Sequence, residues 1–224
     1  MSCLLYYITD RAQFPGDERA RRRALLAKVA EAARAGVDYI QLREKDLSAR
    51  ELEMLVRDAL GAVRDSTPLR TENRELRTRL LINSRTDIAL AAGADGVHLR
   101  SDDLSAGEVR AIVQLSGRRP TTTDHFLVAS SCHTAAEVFW AESEDSDFAV
   151  FAPVFGKRGS VGTPPAGIGA LREACRAKIS VVALGGITVE NAASCVDAGA
   201  AGIAGIRLFQ ENKIEDVVRA LRAL

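Results

Sequence analysis

The feature that most constrains the fold of this chain is an alternation between short apolar, β-branched runs and longer amphipathic segments. The alternation continues along the whole length without a linker-like break. Short runs of this kind predict buried strands, and the longer segments predict helices. The predicted strands are 4–8, 39–42, 80–83, 96–99, 126–130, 148–152, 181–184 and 202–206, and the predicted helices are 18–35, 48–64, 86–92, 106–115, 135–143, 168–177, 189–198 and 214–224. Eight such units in succession predict parallel strands joined by helical crossovers.

Three joints between a helix and the next strand share one pattern, at residues 35–39, 92–96 and 198–202. Each contains a glycine that is able to end the helix in the left-handed conformation, followed by small residues that lead into the strand. We therefore predict a single (β/α)8 TIM barrel, formed by residues 1–224 as one domain. The alternative is a doubly wound open sheet, which usually has fewer strands and a glycine-rich turn after the first. Residues 8–11 contain no such turn.

The composition argues against several classes of function. The 224 residues include 30 basic and 30 acidic side chains, so no overall positive field attracts nucleic acid, and any anion site must be local. The four cysteines form no CxxC pair, which predicts reduced thiols rather than a zinc site or a disulfide framework. The first residues show neither a basic leader nor a long apolar segment. We expect a cytoplasmic protein that acts without a membrane partner, and the sequence leaves a homodimer open.

In a barrel of this type, polar residues just after the strands face the catalytic mouth. The second strand is followed by such residues, and alternation places Gln41, Arg43 and Lys45 on one side. Two cations and an amide suit a phosphate or a diphosphate. The competing interpretation is a solvated cluster in which these cations pair with Glu44 and Asp46. We favour the anion site, because an arginine inside a barrel needs an anionic partner.

The third strand leads into Asn83, Ser84 and an arginine, and the fourth strand leads into an acidic pair. Asp103, or its neighbour Asp102, is a candidate ligand of Mg²⁺, which prefers oxygen ligands and often joins a carboxylate to a substrate diphosphate. An aspartate just before Leu104 and Ser105 is equally suited to cap the next helix. Both interpretations stay open.

The fifth strand leads into Ser131, Cys132, His133 and Thr134. His133 is a candidate acid or base near neutral pH. Thr134 has the character of a helix N-cap, however, and His133 is equally suited to satisfy a backbone group beside it. We assign Cys132 to the core, because no base partner is evident in the sequence.

Glycines follow the last two strands. Gly185 and Gly186 end the seventh strand, and Gly205, Ile206 and Arg207 end the eighth. Backbone N–H groups exposed by such glycines bind phosphate dianions, and barrels commonly place a phosphate site here. The competing interpretation is a tight turn without a ligand.

Two segments interrupt the alternation. Residues 66–78 are predicted to form an exposed extension, to which we assign no function. Residues 156–167 contain several Gly and Pro residues and the pair Lys157 and Arg158, and they follow the sixth strand on the active face. A mobile loop with basic side chains is expected there.

Together these residues resemble the thiamine-phosphate synthase and TenI superfamily of barrels. The resemblance covers essentially the full chain, and although each motif is short, their order and spacing together are specific. The motifs are Tyr7-Ile8-Thr9-Asp10, Gln41-Leu42-Arg43-Glu44-Lys45, Ile82-Asn83 with Arg85-Thr86-Asp87-Ile88-Ala89-Leu90, Gly96-Val97-His98-Leu99, Ser131-Cys132-His133-Thr134, Pro153-Val154-Phe155, Gly185-Gly186-Ile187-Thr188 and Gly205-Ile206.

The resemblance implies that the chain joins hydroxymethylpyrimidine diphosphate to a thiazole phosphate and releases diphosphate with the help of Mg²⁺. It implies that Asp103 binds Mg²⁺ and that Ser131 contacts the pyrimidine or the leaving group. The diphosphate and pyrimidine would be held by Gln41, Arg43, Lys45 and Asn83, and the thiazole phosphate by Gly185, Gly186 and the backbone near Ile206.

The chain departs from the synthase pattern at three places. Ser84 stands where synthases typically carry a second acidic metal ligand, and Arg100-Ser101 replaces Gly-Gln. The usual Thr- and Lys-rich loop after the sixth strand is replaced by residues 156–160, where Lys157 and Arg158 offer charge in another arrangement. These departures keep two alternatives open. One is a TenI-like thiazole tautomerase that uses His133 without a metal, and the other is a non-catalytic binder of a thiazole or thiamine phosphate.

Overall fold

Eight parallel strands close into one barrel, in which β8 pairs with β1. The computed structural model describes residues 3–66, 78–117, 125–156 and 164–224. The strands are β1 (Leu4–Ile8), β2 (Tyr39–Leu42), β3 (Arg79–Asn83), β4 (Gly96–Leu99), β5 (Leu127–Cys132), β6 (Phe148–Phe151), β7 (Ser180–Ala183) and β8 (Gly202–Gly205). Each lies beside its sequence neighbour, so the predicted (β/α)8 TIM barrel is confirmed.

Helices separate the strands as predicted, with small differences at their ends. They are α1 (Glu18–Ala35), α2 (Ala49–Ser66), α3 (Thr86–Ala92), α4 (Ala106–Leu115), α5 (Ala135–Ser143), α6 (Gly167–Ala174), α7 (Ala192–Asp197), α8 (Arg207–Gln210) and α9 (Ile214–Arg222). Two short elements were not predicted from the sequence, namely α8 and a 3₁₀ turn at Arg11–Gln13. Within the described ranges, no helix combines the length and the apolar character needed to cross a bilayer.

One helix begins later than predicted. The prediction started it at residue 189, but α7 begins at Ala192, because the Thr188 N–H donates to the Asn191 side chain over 2.8 Å and holds a turn before the helix. Most of the predicted extension at 66–78 and of the loop at 156–167 lies outside the described residues, at 67–77 and 157–163.

The side chains of each strand alternate between two apolar layers. Tyr6 and Ile8 point into the barrel, where Tyr6 contacts Phe148 edge-on at 5.7 Å between ring centroids. Leu5 and Tyr7 point outward and pack in the layer beneath the helices. Because side chains alternate along a strand, the residues that reach the inside of the mouth are fixed by those buried deeper in the same strand.

Aspartates at the amino-terminal rim tie neighbouring strands together. One stands immediately before each of β2, β4 and β6, and its carboxylate accepts the N–H of the second residue of the preceding strand. The bonds are Leu5 to Asp38 (2.7 Å), Leu80 to Asp95 (2.8 Å) and Val128 to Asp147 (2.6 Å). The corresponding residue before β8 is Ala201, so three of the four strand pairs have this hydrogen bond. All three bonds lie at the rim opposite the mouth.

Two glycines at strand starts allow neighbouring strands to approach closely. A Cβ at Gly96 would lie 2.2 Å from the Leu127 carbonyl oxygen, and a Cβ at Gly202 would lie 2.3 Å from that of Leu4. The two sites are four strands apart, at the contacts β4–β5 and β8–β1. Two of the three repeated joints, 92–96 and 198–202, therefore need glycine for strand contact as well as for ending the helix.

We expect replacement of Asp95 by alanine to lower the free energy of unfolding by about 1–3 kcal/mol, because a buried N–H at Leu80 loses its acceptor. Urea unfolding of Asp95→Ala and of wild type would measure the difference. The control is Asp58→Ala, which removes an exposed carboxylate on α2. Equal losses in the two variants would contradict the assigned role of the rim aspartates.

Candidate functional site

Two amides lie side by side at the carboxyl ends of β2 and β3. The Gln41 Nε2 donates to the Asn83 Oδ1 over 2.9 Å, and the Asn83 Nδ2 donates to the Ser84 Oγ over 3.0 Å. Gln41 is buried, and Ser84 adopts the left-handed conformation with φ of 62°. The structure therefore brings the candidate site residues Gln41 and Asn83 together, and their hydrogen bonds orient both amides.

Arg43 and Lys45 follow β2, and no described residue forms an ion pair with either of them. The predicted alternative, in which Glu44 and Asp46 neutralise them, is wrong. Those carboxylates are held by Arg11, whose Nη1 lies 3.1 Å from the Glu44 Oε2 and 2.6 Å from the Asp46 Oδ1. Arg11 and Glu44 are buried, whereas Arg43 is half-buried and Lys45 is exposed. The two cations at the mouth are therefore available to a ligand.

These cations repel each other. The charge of Arg43, followed by partial burial and by the charge of Arg100, lowers the pKa of Lys45 below its usual value. An anion between the side chains would relieve this repulsion and favour the protonated amine. The electrostatics of this part of the mouth therefore suit a phosphate or diphosphate.

Asp103 lies at the end of β4 in a turn closed by Arg100. Its Oδ2 accepts the Arg100 N–H over 2.7 Å, and its Oδ1 lies 3.5 Å from the Arg100 Nη2. The predicted alternative, that an aspartate here caps the next helix, is wrong. Ser105 is the N-cap of α4 and forms a capping box with Glu108. Asp102 is exposed and pairs with Arg100 at 2.9 Å.

A chain of three polar side chains crosses the mouth from β1 to β5. The Tyr6 hydroxyl lies 2.8 Å from the His98 Nδ1, and the His98 Nε2 lies 2.8 Å from the Ser131 Oγ. Tyr6 and His98 are buried. Burial, followed by the charge of Arg43, lowers the pKa of His98 to about 3, so the imidazole is neutral near pH 7. The chain therefore links the barrel interior to the predicted site residue Ser131.

His133 is exposed and lies next to Thr134, the N-cap of α5. Its Nδ1 donates to the Ala152 carbonyl oxygen over 2.7 Å, as expected if it satisfies a backbone group. Because the carbonyl can only accept, Nδ1 carries a proton. Cys132 is buried, and burial raises the pKa of its thiol to about 12, which agrees with its assignment to the core.

Gly185 and Gly186 have positive φ values of 102° and 63°. A Cβ on Gly185 would lie 2.7 Å from the Pro153 Cα, and one on Gly186 would lie 2.8 Å from the Phe155 carbonyl oxygen. The Phe155 N–H donates to the Gly185 carbonyl over 2.9 Å. Both glycines are therefore required by the turn and by its contact with the segment after β6, whether or not a ligand binds.

The same glycines line a cleft of about 640 Å³ between the ends of β7 and β8. Ile206 and Arg207 line its other side. In the part of the chain that the structure describes, the N–H groups of Gly186, Ile206 and Arg207 have no hydrogen-bond acceptor. The cleft thus offers backbone donors from two loops and one exposed guanidinium, a combination that suits a phosphate.

Sequence reasoning missed Tyr6, His98, Arg11 and Arg207 as residues of the site. Alternation along β1 and β4 carries the signal for the first two, because it turns two polar-tipped rings into the barrel, where each needs a partner. No local pattern identifies the pairing of Arg11 with Glu44, which depends on contact between the β1 and β2 loops. Lys157 and Arg158, the other predicted basic residues, lie outside the described residues.

The buried neutral His98 predicts a pH dependence of stability. Its folded pKa of about 3 lies below the ordinary value of 6.5, so the unfolded chain takes up a proton that the folded chain refuses. The contribution of His98 to the free energy of unfolding is complete above pH 6.5. It falls by roughly 1 kcal/mol per pH unit as the pH is lowered towards 3. Urea unfolding between pH 7 and pH 4 should show a smaller loss in His98→Gln than in wild type. Equal slopes would contradict the prediction.

Comparison with known proteins identifies relatives over most of the chain. The family model described as thiamine monophosphate synthase matches residues 5–209. A thiamine-phosphate synthase of Methanoculleus marisnigri is 36% identical over 97% of this chain and 93% of its own. One of Syntrophomonas wolfei is 35% identical over 98% and 95%. The solved thiamine phosphate pyrophosphorylase of Pyrococcus furiosus superposes with a TM-score of 0.76 at 26% identity, covering 98% of this chain and 94% of that one.

Proposed function

The chain belongs to the thiamine monophosphate synthase family and is a transferase of thiamine biosynthesis; from this premise we propose how its residues perform the reaction. The substrates are hydroxymethylpyrimidine diphosphate and a thiazole phosphate, and the products are thiamine phosphate and diphosphate. The observation that carries the assignment is that two different parts of the mouth suit anions. Arg43 and Lys45, which have no described ion-pair partner, lie on the arc formed by β2 to β5, and the cleft of backbone donors lies on the arc formed by β7 and β8. We place one substrate on each arc.

The diphosphate and the pyrimidine bind on the arc formed by β2 to β5. Arg43 offers a planar pair of donors to phosphate oxygens, and Lys45 adds a mobile point charge. Gln41 and Asn83, oriented by their mutual hydrogen bond, face the pyrimidine. Lys157 and Arg158 are proposed to add charge from the segment after β6. This placement is supported by the pairing of nearby acids with Arg11, which leaves Arg43 and Lys45 free of described ion pairs.

The described residues fit Mg²⁺ only if the substrate completes its coordination. Within the described ranges no three or more His, Cys, Asp or Glu side chains form a metal-binding group. Asp103 offers one carboxylate oxygen whose nearest cationic nitrogen is 3.5 Å away, and Mg²⁺ commonly takes its other ligands from phosphates and water. We propose that Asp103 holds it there. Bound Mg²⁺ would supply positive charge to the leaving diphosphate.

The thiazole phosphate binds in the cleft between β7 and β8. Backbone N–H groups of Gly186, Ile206 and Arg207 would donate to its phosphate oxygens, as at other anion sites built from loop amides. The guanidinium of Arg207 adds a charge that the sequence analysis did not include. The absence of described acceptors for these N–H groups supports the assignment.

In the proposed reaction, the bond between the pyrimidine methylene carbon and the diphosphate oxygen breaks, and both electrons leave with the oxygen. The thiazole nitrogen then donates its electron pair to the methylene carbon, so that a C–N bond replaces the C–O bond. Arg43 and Lys45 stabilise the charge that develops on the departing diphosphate. No covalent nucleophile is required, which agrees with the buried Cys132.

Incubation of the purified protein with both substrates and Mg²⁺ tests this function, with thiamine phosphate measured as the product. Product formation is expected. Absence of product from both wild type and Ser84→Asp would contradict the synthase. Aromatisation of a thiazole phosphate tautomer that His133→Ala abolishes would instead support a tautomerase, and phosphate binding without either activity would support a binder.

Removal of either mouth cation should weaken use of the pyrimidine substrate. We expect Arg43→Gln and Lys45→Gln each to raise the KM for hydroxymethylpyrimidine diphosphate about tenfold to a hundredfold, because a charge-assisted hydrogen bond is lost. Steady-state kinetics would measure the change. The matched control is Arg85→Gln, since Arg85 lies at the same rim but already pairs with Asp87 at 2.6 Å. An equal effect in the control would contradict the assignment.

A methyl group on Gly186 should disturb the other substrate. The new Cβ would lie 2.7 Å from the Gly156 carbonyl oxygen, at a φ of 63° that side chains rarely adopt, so the loop must shift. We expect Gly186→Ala to raise the KM for the thiazole phosphate about tenfold to a hundredfold and to raise the KM for the pyrimidine diphosphate by a smaller factor, because Gly156 directly precedes Lys157 and Arg158. The control is Gly61→Ala on α2, where a Cβ meets no atom within 4 Å. A rise in the pyrimidine KM alone would place the substrates on the opposite arcs.

A further inference from the structure

His98 links two hydroxyl groups and is itself buried. On one side the Tyr6 hydroxyl lies 2.8 Å from Nδ1, and on the other the Ser131 Oγ lies 2.8 Å from Nε2. The tyrosine and histidine rings stack at 5.6 Å between centroids with 22° between their planes, so the imidazole is held in one orientation. The position of the single ring proton therefore decides the direction of both hydrogen bonds.

The surroundings of Tyr6 favour one tautomer. Its buried hydroxyl has His98 as its hydrogen-bond partner within the described ranges. With the proton on Nδ1, the ring would donate to the phenol oxygen and leave the phenol proton buried without an acceptor, which is costly. With the proton on Nε2, the phenol donates to Nδ1 and the ring donates to Ser131. All three groups are then satisfied.

In this arrangement the hydroxyl hydrogen of Ser131 is available for donation to a ligand in the mouth. The Ser131 Oγ accepts the hydrogen bond from the His98 Nε2–H, so its own hydroxyl hydrogen must point to another acceptor. Ser131 is half-buried at the end of β5, and Ser131 and Asp103 both line a cavity of about 120 Å³ there. The charged groups that act on His98 are Arg43 and Asp103, which belong to the same arc.

We propose that His98 is a positioning residue, which donates from Nε2 to Ser131 and so commits the Ser131 hydroxyl to donate to an acceptor atom of the bound pyrimidine diphosphate. The inference rests on the proposed function, in which that substrate occupies the arc from β2 to β5. It adds a role for two residues, Tyr6 and His98, that need not touch the substrate.

The tautomer is measured in the protein without substrates, by two-bond nitrogen–proton correlation of histidine labelled with ¹⁵N. The chain has three histidines, and the signal lost in His98→Gln identifies His98. We expect a neutral ring with its proton on Nε2 at pH 7. A proton on Nδ1 would overturn the inference whether or not the protein is a synthase, and absence of synthase activity with the expected tautomer would overturn the proposed function alone.

Kinetics distinguish positioning from a structural role. We expect His98→Leu to lower kcat/KM for the pyrimidine diphosphate about tenfold, the effect of one hydrogen bond, and to leave the KM for the thiazole phosphate unchanged. His98→Gln, whose amide can accept from Tyr6 and donate to Ser131, should recover part of the loss. In a Ser131→Ala background, His98→Leu should cost nothing more. Full additivity of the two substitutions, or an equal rise in both KM values, would overturn the proposal.

Discussion

Closure of the parallel sheet brings the carboxyl ends of eight strands to one rim, and strict alternation decides which side chains reach it from inside. Once Tyr6 and Leu81 are buried in the barrel, Gln41, Asn83 and His98 must face inward above them, because neighbouring strands are held in a fixed register. The carboxylates of Asp38, Asp95 and Asp147 bond neighbouring strands at the opposite rim. Chemistry and strand fixation are thus kept at different ends of one barrel.

The two arcs of the mouth bind charge by different means. The arc from β2 to β5 uses side chains, including Arg43 and Lys45, whose positions depend on loops that follow short strands. The arc at β7 and β8 uses the backbone around Gly186 and Ile206, whose shape is set by contact with the segment after β6. A substitution such as that at Ser84 therefore alters one arc and leaves the donors of the other in place.

Much of this architecture could be predicted from the sequence, because it depends on local patterns. Periodicity located all eight strands, and the helix-ending glycines Gly36 and Gly93 have the left-handed conformation that their motif indicates. Local patterns failed where a partner is distant in sequence. The competing interpretation, in which Glu44 neutralises Arg43, considered only neighbours in the chain, whereas Arg11, 33 residues away, holds that acid. The partners of His98 lie 92 and 33 residues away, so pattern alone could not assemble them.

The buried guanidinium of Arg11 has a consequence for how this site can change in evolution. It is almost fully enclosed by protein and forms ion pairs with the carboxylates of Glu44 and Asp46. Without it, both acids would compete with an incoming anion for the neighbouring cations, and the chain would inhibit its own site. Loss of Arg11 would therefore harm the anion site as well as the core, unless those acids changed with it.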